Sequence, residues 1–265
     1  MILIDDPDDE RLAPFRLNER GLANRAQRRD DGGDGLFMAE GDLVVERVLA
    51  AGCVPAMALV DARRPPAVVE RLQLLCPVYA GGERVRAQVT GLGMPYAVVA
   101  LFQRPPRTSA HELAATARRL VIAEAIDNPV NVGSIVRNAL ALAWDGLIVD
   151  STSADPLARR ALRVSMGHAL RLPHARTTDV AALVRTLTEQ GVMVCALTPA
   201  PDSLPLHQVP EAERIALLVG SERAGLTPAA MAAATHRVCI PMQMGVDSLN
   251  AAAATAVACW HLRGQ

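Results

Sequence analysis

Residues 215–226 read Ile-Ala-Leu-Leu-Val-Gly-Ser-Glu-Arg-Ala-Gly-Leu. Five apolar residues run without polar alternation and stop at a glycine. Such a run predicts a strand buried on both faces, as in a parallel sheet covered by helices. Behind it, Gly220-Ser221-Glu222 sets polar groups at the strand's carboxyl end, the edge at which open α/β sheets bind ligands. Thr227-Pro228 then opens a helix with proline in its first turn.

Two further segments have the same build. Residues 125–137 read A-I-D-N-P-V-N-V-G-S-I-V-R and follow an apolar strand over 120–123. Pro129 disfavours helix before it, and Asn131 is expected to cap a helix running to Ala143. Gly133 permits close approach of backbone or ligand, and Arg137 lies six residues beyond Asn131, nearly two turns along. Residues 239–250 read C-I-P-M-Q-M-G-V-D-S-L-N. Here Pro241 ends a strand over 237–240, a loop follows, and Ser248-Leu249-Asn250 starts a last helix to Leu262. All three turns present backbone N–H groups and a positive helix end to a polar ligand.

Outward from these segments the alternation continues. Residues 146–149 and 192–197 are apolar strands, and Asp179 caps a helix ending at Gln190-Gly191. The fold class is therefore α/β, with a parallel sheet over residues 119–265. A smaller α/β domain is expected over 36–104, from a helix at 42–49, strands at 57–60, 77–79 and 96–102, and helices at 68–75 and 84–90. Residues 105–118 form a linker and short helix. Pro105-Pro106 interrupts regular pairing, and Ser109 with Glu112 fits a capping box. Residues 1–35 are expected to be loosely ordered, because they are densely charged and the run 28–35 has little to bury.

Composition narrows the classes. No run of about 18 apolar residues occurs, so no membrane helix is expected. The start, Met1-Ile2-Leu3-Ile4 followed by acidic residues, lacks the basic flank of a signal peptide, and a cytoplasmic location is expected. Five cysteines without a C-x-x-C pair give neither a disulfide framework nor a zinc site, and reduced, buried thiols are expected. No metal is expected. The net charge is −1, yet every Lys/Arg position is arginine, clustered at 16–29, 104–119 and 159–176. Arginine forks grip phosphate and stack on bases, which points to nucleic acid. Gly91-Leu92-Gly93 lacks the third glycine of a dinucleotide fingerprint, and no P-loop, G-x-S-x-G or H-E-x-x-H is present.

The three segments, in this order and wording, resemble the three motifs of the SpoU (TrmH-type) RNA ribose 2′-O-methyltransferases of the SPOUT superfamily. The likeness covers residues 119–262, and Phe37-Met38-Ala39-Glu40-Gly41 with Phe102-Gln103-Arg104-Pro105 is similar to their L30e-like RNA-binding domain. The resemblance implies a trefoil-knotted domain, S-adenosylmethionine as cofactor, and a homodimer packed through the knotted domain, the final helix with Val257 and Trp260 being one candidate face. It implies catalytic roles for Asn131, Arg137, Glu222, Ser248 and Asn250, and cofactor contacts by Leu197, Gly220, Ile240, Met242 and Leu249. Its substrate would be structured RNA, with rRNA favoured over tRNA. A catalytically silent RNA- or ribosome-binding factor and an RNA base methyltransferase remain open alternatives. Ala143 stands where the first motif commonly has glycine, and Ala251-Ala252 where the third has Val-Ser.

Overall fold

A computed structural model of the chain describes residues 1–22, 35–243, 246 and 248–263. Arg25, Arg28, Arg29 and most of the charged run after them lie outside the described residues. The chain divides into two compact units, residues 1–106 with 157–170, and residues 107–156 with 171–265.

The first unit holds β1 (Ile2–Ile4), α1 (Glu19–Leu22), β2 (Leu36–Glu40), α2 (Asp42–Ala50), β3 (Pro55–Asp61), α3 (Val68–Gln73), β4 (Val78–Gly81), α4 (Glu83–Thr90) and β5 (Val98–Gln103). Its sheet has the order β1-β4-β3-β5-β2. The first three strands run parallel, while β5 pairs antiparallel with β3 and β2.

The expectation of a loose N-terminus is corrected for residues 1–22. Ile2-Leu3-Ile4 adds an edge strand to β4, and Leu12, Phe15 and Leu22 are buried in the same core as Leu59 and Leu101. A few well-spaced apolar side chains outweigh the surrounding carboxylates, which stay on the solvent side. Asp9 is used locally, its carboxylate accepting from the Arg11 backbone N–H at 2.9 Å.

The second unit holds α5 (Ala110–Thr116), β6 (Arg119–Glu124), α6 (Pro129–Ala141), β7 (Gly146–Asp150), β8 (His174–Thr177), α8 (Val180–Glu189), β9 (Met193–Leu197), β10 (Leu204–Pro205), β11 (Ile215–Gly220), α9 (Pro228–Ala233), β12 (His236–Cys239) and α10 (Ala251–Leu262). The strand order is β10-β12-β9-β11-β6-β7-β8, and every pairing is parallel. Leu120, Ile122, Ile148, Val194 and Leu218 from four of these strands meet Val184 and Leu187 of α8 in one core. Because the strands are parallel, Glu124, Asp150, Leu197 and Gly220 all end at one edge. The register places Gly220 beside Glu124. The capping box at Ser109 is formed, with its hydroxyl accepting from Glu112 N–H at 3.1 Å and the Glu112 carboxylate accepting from Ser109 N–H at 3.0 Å.

Residues 157–170, contiguous in sequence with the larger domain, group with the first unit. They carry α7 (Arg159–Val164), whose Arg159 Nε and Arg163 Nη1 donate to the Glu40 carboxylate at 2.5 and 3.1 Å. Glu40 is 2% exposed, and a carboxylate so buried without cationic partners costs several kcal/mol.

All five cysteines are free, and Cys195 and Cys259 are the buried ones. Burial pushes the Cys195 thiol up to about 12 and that of Cys259 up as well, so neither forms a thiolate nucleophile near neutrality.

The start of α6 differs from expectation. Asn128, not Asn131, is the N-cap, its Oδ1 accepting from Val130 N–H at 2.9 Å. Pro129 fits the first turn because it has no N–H to satisfy and a preset φ. Asn131 therefore lies inside the helix with its amide free for longer-range bonds. At the other end, Ala143 takes a left-handed φ of 59°, while Trp144 N–H donates to Ala139 C=O at 2.9 Å. This is the glycine position of a helix-ending motif, occupied by alanine. Ala143→Gly is expected to raise stability by about 1 kcal/mol, the left-handed penalty partly offset by the freer unfolded chain. Urea unfolding of wild type and variant measures it.

Candidate active site at the carboxyl edge of the parallel sheet

The loop after β11 is shaped by close backbone approach. A Cβ on Gly220 would lie 2.4 Å from the Gly225 carbonyl carbon and 2.6 Å from Leu226 N, so no side chain fits. The loop doubles back through Gly225 N–H to Ser221 C=O at 3.0 Å and Ala224 N–H to Ser221 Oγ at 3.1 Å. Gly225 itself has φ +67°, which favours glycine. From beneath, buried Glu124 accepts from Thr227 N–H at 2.8 Å and Thr227 Oγ at 2.9 Å, fixing the loop's exit into α9.

The turn before α6 is held by the adjacent strand end. Asp150 Oδ1 accepts from Ala125 N–H at 3.0 Å and Ser153 N–H at 2.9 Å. Burial opposes its ionisation. The hydroxyls of Ser153 and Thr152 and the Ala125 N–H outweigh that, holding the carboxyl below its ordinary value.

Three side chains then meet, from the loop after β11, the first turn of α6 and the cap of α10. Glu222 Oε1 accepts from Asn131 Nδ2 at 2.8 Å and Asn250 Nδ2 at 2.6 Å, and Asn250 Nδ2 also donates to Asn131 Oδ1 at 3.0 Å. Asn250 is the N-cap of α10, its Oδ1 accepting from Ala252 and Ala253 N–H at 3.0 and 3.2 Å. Asn131 is 7% exposed, so this polar cluster is anchored at its inner end.

Beside the cluster lies a cleft of about 370 Å³. Leu197, Gly220, Ile240, Met242 and Leu249 all line it, as do Glu222 and Ser248. Arg137 is exposed on α6, two turns beyond Asn131, and makes no hydrogen bond or ion pair among the described residues. The structure thus brings together Asn131, Glu222 and Asn250 directly, sets Ser248 on the cleft wall, and leaves Arg137 open to solvent. The loop after the 192–197 strand, which the resemblance implied as another wall, contributes Thr198 and Pro199. Sequence reasoning missed Arg223 on the cleft, and the carboxylates Glu124 and Asp150 behind the loops. The available signal for the last two was an acidic residue at the final position of an apolar strand.

Among the described residues no group of three or more His, Cys, Asp or Glu is placed to hold a metal ion, and no helix is long and apolar enough to cross a membrane.

A parallel α/β domain with a glycine-shaped cleft at its strand ends defines a ligand-binding class of fold, and the sequence comparisons give it a family. Residues 118–260 match the SpoU rRNA Methylase family, and the chain belongs to that family. It is 41% identical over 259 residues to an uncharacterized tRNA/rRNA methyltransferase of Mycobacterium bovis, covering 96% of this chain and 88% of that one. It is 30% identical to the 23S rRNA (guanosine(2553)-2′-O)-methyltransferase RlmP of Bacillus subtilis, covering 86% of this chain and 88% of the relative. The fold matches the AdoMet-bound rRNA methyltransferase from Sinorhizobium meliloti with a TM-score of 0.80 at 24% identity, over 98% of this chain and 97% of that one.

Gly220→Ala is expected to displace the 221–226 loop and to lower the melting temperature by several degrees, since the overlap is with backbone rather than a movable side chain. Differential scanning calorimetry checks it. An unchanged melting temperature would mean that the loop has room to retreat.

Proposed function

We propose that this protein transfers the methyl group of S-adenosylmethionine to a ribose 2′-hydroxyl in structured RNA, ribosomal RNA in preference to tRNA. The observation that carries this reading is the hydrogen-bonded group Asn131, Glu222 and Asn250 beside a cleft lined by Leu197, Gly220, Ile240, Met242 and Leu249. The name of the Bacillus subtilis relative supports rRNA and the ribose oxygen.

The cleft suits the cofactor. Its volume falls at the low end of the range for small-molecule sites, and its leucine, isoleucine and methionine walls offer a dry slot for a flat ring. Gly220 lets the backbone of Gly225 and Leu226 fold close against the strand end, which shapes the rim of the slot. The cofactor supplies an electrophilic methyl when bound, and the chain's own residues do the rest. Asn131, Glu222 and Asn250 lock the three loops into one arrangement. Ser248 positions a ligand at the wall. A guanidinium offers N–H donors and no acceptor, so Arg137 acts as a charge rather than a base. It holds the phosphate next to the target ribose and stabilises negative charge developing on the hydroxyl oxygen. Orientation and this electrostatic help account for the acceleration that such a displacement needs.

The proposal extends to a trefoil knot in the second unit. In support, β11 inserts between β9 and β6, and α10 packs back on α6, with Asn138 Nδ2 donating to Ala252 C=O at 3.2 Å and Trp144 Nε1 to Cys259 C=O at 3.1 Å. The first unit is proposed as an L30e-like domain that contacts RNA phosphates through arginine. The protein is placed in the cytoplasm with its RNA. A homodimer is proposed through α10, where Val257 and Trp260 are 44% and 58% exposed. Trp260→Glu is expected to shift the sedimenting species from two chains to one.

The central test incubates the protein with labelled S-adenosylmethionine and total RNA from a strain lacking it. The expected product is one site that resists alkaline cleavage. Arg137→Ala is expected to cut the rate by about 100-fold while leaving cofactor affinity within about threefold. A methylated base found by nucleoside mass spectrometry would overturn the ribose reading. Absence of cofactor binding in calorimetry would turn it toward a silent RNA-binding factor.

A further inference from the structure

Asp150 touches no wall of the cleft, yet it is the most heavily hydrogen-bonded carboxylate behind it. It ends β7 and is 9% exposed. Besides the N–H groups of Ala125 and Ser153, it accepts from Ser153 Oγ and Thr152 Oγ, each at 2.5 Å, and from Thr152 N–H at 3.2 Å. Ser153 Oγ in turn accepts from Ile126 N–H at 2.9 Å. Two consecutive amides of the turn before α6 are thus tied to one carboxylate, one directly and one through a hydroxyl.

That turn is strained. Ala125 has φ +55°, a left-handed conformation that an alanine leaves unless something holds it. Ala154 N–H donates to Ile126 C=O at 2.9 Å, closing the clamp from the other side. Three residues after Ile126 the helix begins, and its first turn carries Asn131. Two turns on, it carries Arg137. A helix moves as a rigid body, so the shape of residues 125–128 sets where both side chains stand.

We propose that Asp150, acting with Ser153, is a positioning residue for methyl transfer: it holds Ala125 in its left-handed turn and thereby registers Asn131 and Arg137 against the cofactor cleft. This inference rests on the function proposed above. It makes a separable claim, because the cleft's described lining comes from 197–199, 219–226, Ile240, Met242, Ser248, Leu249, Ala251 and Ala254 and takes no residue from 125–153. Loss of the clamp therefore acts on turnover and not on cofactor binding.

The experiment compares wild type, Asp150→Asn, Ser153→Ala and the double variant Asp150→Asn with Ala125→Gly. S-adenosylmethionine affinity is read by calorimetry, kcat on total RNA from a strain lacking the protein, and amide exchange at Ala125 and Ile126. The expected result is a kcat lower by about tenfold or more in Asp150→Asn, with affinity within about threefold and faster exchange at Ala125. Adding Ala125→Gly recovers part of the turnover, because glycine takes φ +55° without a tether. If Asp150→Asn does not fold, Ser153→Ala carries the same comparison through Ile126. Wild-type turnover in both single variants, or affinity falling in step with kcat, overturns the inference. A wild-type protein that neither binds the cofactor nor methylates RNA overturns the functional reading instead, and exchange at Ala125 still reports on the clamp.

Discussion

The site depends on one carboxylate oxygen. Glu222 Oε1 accepts from Asn131 and from Asn250, and so joins the loop after β11, the first turn of α6 and the cap of α10. Asn131 lies 91 residues before Glu222 in the chain and Asn250 lies 28 after it. Their own bond, Asn250 to Asn131, closes the triangle. Hydrogen bonds to an ionised acceptor are the stronger kind, and here they act between loops that no ladder connects. Without them the three segments would be held only through their own strands and helices. With them they hold one arrangement beside the cleft.

Parallel strands make that meeting possible. Every pairing in the second unit is parallel, so each strand delivers its following loop to the same edge. The strand ends do more than deliver. Glu124 at the end of β6 fixes Thr227, and Asp150 at the end of β7 fixes Ala125. Buried carboxylates placed under loops satisfy backbone N–H groups that would otherwise be left without partners. The polar layer behind the cleft is therefore structural chemistry in the service of position.

The first unit solves a similar problem with the opposite charges. Glu40 is buried at the end of β2, and the cations that neutralise it come from α7, more than a hundred residues later in the chain. That pairing draws residues 157–170 out of the sequence of the larger unit. The left-handed Ala143 is another departure with a physical reading: the helix must end there whichever residue is present, and alanine bears the conformational cost.

Much of this was legible in the residues alone. Uninterrupted apolar runs at 120–123, 146–149, 192–197 and 215–219 specified a parallel sheet, and the glycine, asparagine and proline that follow them specified where its ligand edge lies. Capping at Ser109, Asp179 and Thr227 could be read because it is local, each side chain serving a backbone group within three residues. What lay beyond reach was every interaction between distant segments. Asn131 read as a cap because nothing in its neighbours reveals Glu222, and residues 1–22 read as loose because charge density hides which few side chains find a core. Local patterning fixed which elements form and what chemistry their ends carry. Only packing decided which of those ends meet, because long-range hydrogen bonds and ion pairs depend on where the sheet places its strands and leave no periodic trace in the chain.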